Sequence, residues 1–151
     1  MNSIKLIKHS KGALGLRIFG LGPYLKPTRG LKKLKSLLDG YTQWAKNRTE
    51  KDLKRMLANS SVVVSLWSED ELIGFGRATS DYSFRAVLWD IVVNENQQGL
   101  GNGKTIVRAL LSSEAIIKAE NIYLMTTNKA NFYEQIGFKR IHEKDLMILN
   151  K

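Results

Sequence analysis

The sequence predicts a mixed α/β (α+β) domain: a central, mostly antiparallel sheet flanked by helices. Three observations carry this. Apolar residues recur at helical spacing over residues 28–58, with Leu31, Leu34, Leu37 and Leu38 on one face and then Leu53, Met56 and Leu57 on another. The period then changes: two apolar runs, 62–67 and 72–78, flank the charged turn Ser68-Glu69-Asp70-Glu71 as an antiparallel pair. Over 86–127, a strand, a glycine-rich connection, an amphipathic stretch and another strand follow in the order of a βαβ unit. At 151 residues the chain suits one core and is short for two, so residues 1–151 are expected to form a single domain.

In chain order, residues 1–30 read as irregular, because Gly12, Gly15, Gly20, Gly22, Pro23, Pro27 and Gly30 interrupt short apolar pieces. A short strand or helix is expected there. Thr28 is placed to cap a helix running to Gly40, and Thr49, with Asp52 three residues on, caps a second helix ending at Ala58. The run 86–93 is apolar enough for a central strand. A helix over 104–119 would turn Ile106, Val107, Leu110, Leu111 and Ile117 inward. The run 122–127 is a strand, 128–136 a short helix closed by Gly137, and 139–142 with 146–149 a closing hairpin.

Composition excludes several chemistries. There is no cysteine, hence no disulfide, thiol nucleophile or cysteine-based metal site, and the two histidines, His9 and His142, have no metal-ligand spacing; no metal is expected. No apolar run approaches the roughly 20 residues that span a bilayer, and the first residues lack the apolar core of a signal peptide. A cytoplasmic protein is the expectation. The net charge of +10 is uneven: residues 1–59 hold 14 Lys and Arg against Asp39, Glu50 and Asp52. Such a half suits nucleic acid, an acidic peptide, a membrane surface or cofactor phosphates, or is only a solvated basic face. Aromatics do not interleave with its cations as a base-stacking surface requires, so nucleic acid is not expected.

The chemistry concentrates in Trp89–Lys104, WDIVVNENQQGLGNGK. Glycines at 99, 101 and 103 let backbone N–H groups converge on one ligand, and the helix that follows adds the positive end of its dipole. This suits a pyrophosphate. A tight strand-to-helix turn would need the same glycines for geometry alone. A second run, Phe132-Tyr133-Glu134-Gln135-Ile136-Gly137-Phe138, lies downstream.

These two runs, in this order and on these elements, resemble motifs A and B of the GCN5-related N-acetyltransferase (GNAT) superfamily. Residues 63–67 (VVSLW), 73–81 (IGFGRATSD) and 89–93 (WDIVV) look most like its plastid and cyanobacterial serotonin N-acetyltransferase-like branch. The resemblance covers about residues 60–150. It implies the fold of that superfamily and transfer of an acetyl group from acetyl-CoA to a primary amine by direct attack. The acceptor would be an arylalkylamine, a polyamine or a peptide or protein lysine. Gln98, Gly99, Leu100, Gly101, Asn102, Gly103 and Lys104 would hold the CoA pyrophosphate. Ile91, Val92 and Val93, splayed by a bulge, would pair with the pantetheine amides; an ordinary core strand is the alternative. Tyr133 would donate a proton to the departing thiolate, or be a core aromatic. Asp90 would accept the amine's proton, anchor the cation, or be structural, bonded to backbone or Arg77.

Strand alternation sets Trp89 and Asp90 on opposite faces. Phe132 belongs to the cofactor set, and Asn128 either caps its helix or bonds the cofactor. Tyr82, Phe84 and Trp89, with Trp44, Trp67 and Tyr41 behind them, are candidates for an acceptor wall. Glu95 and Asn102 depart from the family pattern, where proline and an apolar residue are frequent. A monomer or homodimer is expected. The competing function is a non-catalytic acyl-CoA-binding or nucleic-acid-binding module on the same fold.

Overall fold

The computed structural model describes residues 3–151; Met1 and Asn2, included in the predicted domain, lie outside them. Its elements are β1 (Ile4–His9), α1 (Leu14–Phe19), α2 (Gly30–Tyr41), α3 (Glu50–Ala58), β2 (Val62–Ser68), β3 (Glu71–Ser80), β4 (Arg85–Val93), α4 (Asn102–Leu111), α5 (Glu114–Ile117), β5 (Asn121–Tyr123) and α6 (Ala130–Glu134). One sheet runs β1-β2-β3-β4-β5, antiparallel except for the parallel pair β4–β5. This is the mixed, mostly antiparallel sheet that the sequence predicts.

Alternation along the strands splits the core into two layers. Val63, Trp67, Phe75 and Val92 face Leu16, Leu34, Leu38, Leu53 and Leu57 of α1, α2 and α3. Val62, Val64, Leu66, Ile73 and Val93 face Ile106, Val107 and Leu110 of α4. Each fully buried leucine or isoleucine contributes about 1.5–3 kcal/mol of transfer free energy. Cβ atoms at Gly74 and Gly76 would lie 2.7 Å from Ile106, so α4 rests directly on the β3 backbone. The Thr49–Asp52 capping box starts α3 as its sequence predicts.

Several expectations are corrected. The 1–30 segment contains both β1 and α1. Thr28 does not cap α2: its hydroxyl donates to the Gly20 carbonyl, and the helix follows Arg29 in the left-handed conformation. The 104–119 helix breaks where the Ser113 hydroxyl bonds the Leu110 carbonyl. The break changes the helical phase, burying Ile116 and leaving Ile117 69 % exposed. The 122–127 strand shortens to β5, and the 128–136 helix to α6.

The closing hairpin is absent. Residues 139–151 carry no strand, and Leu146, Met147, Ile148 and Leu149 are exposed. A three-residue β5 is a short template for further pairing, and Arg140 bonds Glu134 instead of entering a ladder.

Candidate active site

The site is organised by an irregularity in β4. Trp89 pairs with Arg77 and Val92 with Phe75, so Asp90 and Ile91 together oppose the single residue Gly76. Asp90 takes φ 53, a left-handed conformation that Asp tolerates better than most residues. This is a β-bulge immediately before Val92 and Val93, in the strand where the family resemblance expects one.

The bulge removes the expected separation of Trp89 from Asp90. Both reach Arg77: the Asp90 carboxylate accepts from Arg77 Nε at 2.8 Å, and the guanidinium lies 5.8 Å from the Trp89 ring centre. Arg48, in the α2–α3 connection, donates to both Asp90 oxygens at 3.1 and 3.2 Å. The Asp90 side chain is 4 % exposed, against 15 % for Arg77 and 30 % for Arg48. Burial pulls its pKa upward, but hydrogen bonds from Arg48 and Arg77 outweigh that and hold it below the usual carboxylate value. A carboxylate so committed is a weak proton acceptor.

On its other edge, β4 pairs with β5 only through Arg85, Ala86 and Val87. Beyond Val87 the strands diverge, leaving the outer backbone edge of residues 88–93 without a strand partner among the described residues. A cleft of about 750 Å³ opens there, lined by Val87 and Trp89, by residues 122–128, by Tyr133 and Glu134 of α6, and by parts of 138–146. Burial pushes the Tyr133 phenol up to about 12. It therefore remains protonated, and a hydrogen-bond donor, across the physiological range.

The glycine loop lies at the end of β4. Gly99 and Gly101 have φ 74 and 86, and α4 begins at Asn102. The amides of residues 99–104 have no intramolecular acceptor among the described residues, as at any helix start. Side chains brace the loop: Gln98 Nε2 donates to the Val93 carbonyl, Asn102 Nδ2 to that of Gln97, and Asn94 accepts from the Asn96 amide. Gln98 and Asn102 thus shape the cradle, leaving the amides to meet a ligand. Phe132 packs against Gly103, where a Cβ would lie 3.2 Å from its ring, and edge-on to Tyr133 at 4.9 Å. It sets α6 against the start of α4.

Other candidates fall apart spatially. Asn128 lines the cleft and does not cap α6, which follows Lys129. Phe84 is 64 % exposed and lines an adjoining hollow that shares Tyr123 and Lys144 with the cleft, while Tyr82 lies under Lys11. Trp67 is wholly buried, its indole bonded to Ser65, so it forms no wall. Trp89 alone of the three proposed acceptor residues reaches the cleft of Tyr133. His142 is exposed, and no cluster of three potential metal ligands occurs among the described residues.

Residues 31–138 match the Acetyltransferase (GNAT) family. The chain belongs to this family. The uncharacterized N-acetyltransferase ycf52 of Pyropia yezoensis is 36 % identical over 113 residues, 72 % of this chain and 64 % of that protein. The chain thus aligns with just under two thirds of that relative's length. Serotonin N-acetyltransferase 2, chloroplastic, of Oryza sativa subsp. japonica is 35 % identical over 60 % of this chain and 48 % of its own. In three dimensions, a probable acetyltransferase of unknown function from Staphylococcus aureus superposes with a TM-score of 0.72 over 99 % of both chains at 18 % identity, a likeness of fold.

Within this GNAT chain, the residue that sequence reasoning missed is Arg48. Its partner is 42 positions away in the chain, and one arginine in a loop has no periodicity to betray it. Arg77 was legible as a possible partner because β3 and β4 pair as a hairpin.

Proposed function

We propose that this GNAT chain is an acetyl-CoA-dependent N-acetyltransferase acting on a primary amine in a ternary complex. The observation that supports it most is that β4, unpaired beyond Val87 beside the cleft of Tyr133, runs on into a loop of free amides that Phe132 ties to α6. The amides of 99–104 and the N-terminus of α4, with Lys104 beside them, suit the CoA pyrophosphate. The open edge at Ile91–Val93 suits the pantetheine amides as a strand suits its neighbour.

In the reaction the neutral amine attacks the thioester carbonyl. A C–N bond forms, the C–S bond breaks, and the amine's surplus proton leaves to water. Tyr133 donates to the departing sulfur and recovers its proton from solvent. The basic first 59 residues favour an acceptor carried on a neutral or acidic molecule over a polyamine. A lysine on an acidic protein surface satisfies this, and a small arylalkylamine, a monocation at neutral pH, is repelled less than a polyamine. No described helix is long and apolar enough to cross a membrane, and two relatives are named chloroplastic. We place the chain in cytoplasm or plastid stroma.

The test is release of CoA thiol from acetyl-CoA in the presence of aromatic amines, polyamines or lysine peptides. The protein contains no cysteine, so a thiol reagent reports the product alone. Turnover with an amine supports the reading. Acetyl-CoA binding without turnover of any acceptor favours the non-catalytic alternative, and absence of binding overturns the cofactor assignment.

A further inference from the structure

The bulge in β4 needs an explanation of its own. A left-handed, non-glycine residue in mid-strand is strained by about 1–2 kcal/mol and persists where its surroundings over-determine it. Here they do so on both faces. On one, Ile106 of α4 presses against Gly76, the residue the bulge opposes. On the other, the Asp90 carboxylate is held across the bulge by Arg77 and from outside the sheet by Arg48. Arg77 is tied in turn to Ser60 at 3.4 Å, and Arg48 reaches the Met56 sulfur at 3.3 Å. These cross-links bind the irregular strand to both ends of α3.

We infer that Arg48 and Arg77 are positioning residues, which act through Asp90 to hold the β4 bulge in its ligand-receiving shape. This rests on the reading of the cleft as an acetyl-CoA site. Asp90 then serves as the fastener of the bulge, and the amine loses its proton to water. Two guanidiniums occupy the carboxylate, and neither is placed to surrender it while the strand keeps its shape. The arrangement makes a further demand. Arg48 sits four residues after the exposed Trp44 in the connection 42–49, so the same contact fixes that connection beside the site. Loss of Arg48 is felt first in cofactor affinity, because the pairing edge Ile91–Val93 begins within the bulge itself.

The experiment compares Arg48→Gln, Arg48→Lys and Asp90→Asn with the unmodified protein, measuring acetyl-CoA affinity calorimetrically and kcat/KM against pH. Arg48 lies on a connection and is partly exposed, so its variants are expected to fold; circular dichroism and thermal unfolding check this. Asparagine tolerates the left-handed conformation, which guards against unfolding at 90. Arg48→Gln and Asp90→Asn are each expected to weaken acetyl-CoA binding about tenfold, roughly 1.4 kcal/mol. Together they should weaken it little more than either alone, with Arg48→Lys intermediate. The acid limb of the pH profile persists in Asp90→Asn.

Two results overturn the inference alone. One is Asp90→Asn binding acetyl-CoA normally while kcat collapses and the acid limb disappears, the behaviour of a general base. The other is Arg48→Gln matching the unmodified protein in affinity. Failure of the unmodified protein to bind acetyl-CoA would instead remove the functional reading and this inference with it.

Discussion

Along the edge facing β3, β4 is paired from Ala86 to Val93, and even its one irregularity is fastened by Arg77 and Arg48. Along the edge facing β5, pairing stops after Val87 and a cleft begins. The same strand thus has a satisfied side, which sets geometry, and an unsatisfied side, which offers hydrogen-bonding groups to a ligand. Unpaired backbone groups are costly when buried, so the open edge is tolerable where solvent or a ligand reaches it. The contrast teaches that rigidity at this site comes from the β3 edge and the layers packed on it, and not from the β5 edge.

The largest expected effect tests the satisfied side at its far end. His9 of β1 shares a hydrogen bond with Ser65 at 2.8 Å, and burial pushes its pKa down to about 4. The unfolded imidazole titrates near 6.5, so the unfolded chain binds more protons between those values. This contribution is present above pH 6.5 and is lost as pH falls towards 4, about 3 kcal/mol in all. Urea unfolding from pH 8 to 4 should show the loss, and His9→Gln should flatten it; an unchanged slope in that variant would assign the loss elsewhere.

On the open side, Tyr133→Phe removes the donor while leaving the ring packed against Phe132 and Phe138. Turnover is expected to fall about 100-fold with acetyl-CoA affinity unchanged, and normal turnover would remove Tyr133 from the reaction. A smaller change crosses between the sides. Gly76→Val sets a side chain against Ile106 opposite the bulge, destabilising the fold by about 1–3 kcal/mol by chemical denaturation. Acetyl-CoA affinity should decline with it if the β3 side governs the cleft; unaltered affinity in a folded variant would separate the two edges.

How much of this was legible in the sequence follows from the range of each interaction. Local patterns gave α2, α3, the β2–β3 pair and α4, because periodicity and capping are encoded within a few residues. The Thr49–Asp52 box is the clearest case. The glycine loop and Tyr133 were legible as motifs, and the cleft brings Tyr133 together with Trp89 and Asn128. Positions governed by tertiary context were not. Tyr82 and Phe84 precede Trp89 in the chain, yet the turn into β4 sets Phe84 in a hollow beside the cleft and Tyr82 under Lys11. Alternation failed at Asp90 because one extra residue in a strand reverses it, and no local signal marks the insertion. The 139–149 hairpin failed because apolar content identifies a strand only when an edge exists to receive it.

The left-handed backbone at Asp90 also bears on how this site can vary. Glycine, asparagine and aspartate adopt that conformation with least strain, and of the three only aspartate answers two guanidiniums with a charge. Replacement there trades either backbone ease or charge balance, and replacement of either arginine alters the balance from the other direction. Positions 48, 77 and 90 are therefore coupled through one carboxylate, and are expected to vary together. A sequence drifting at one of them is held back until another moves, and a designer transplanting this bulge to a new scaffold must carry all three.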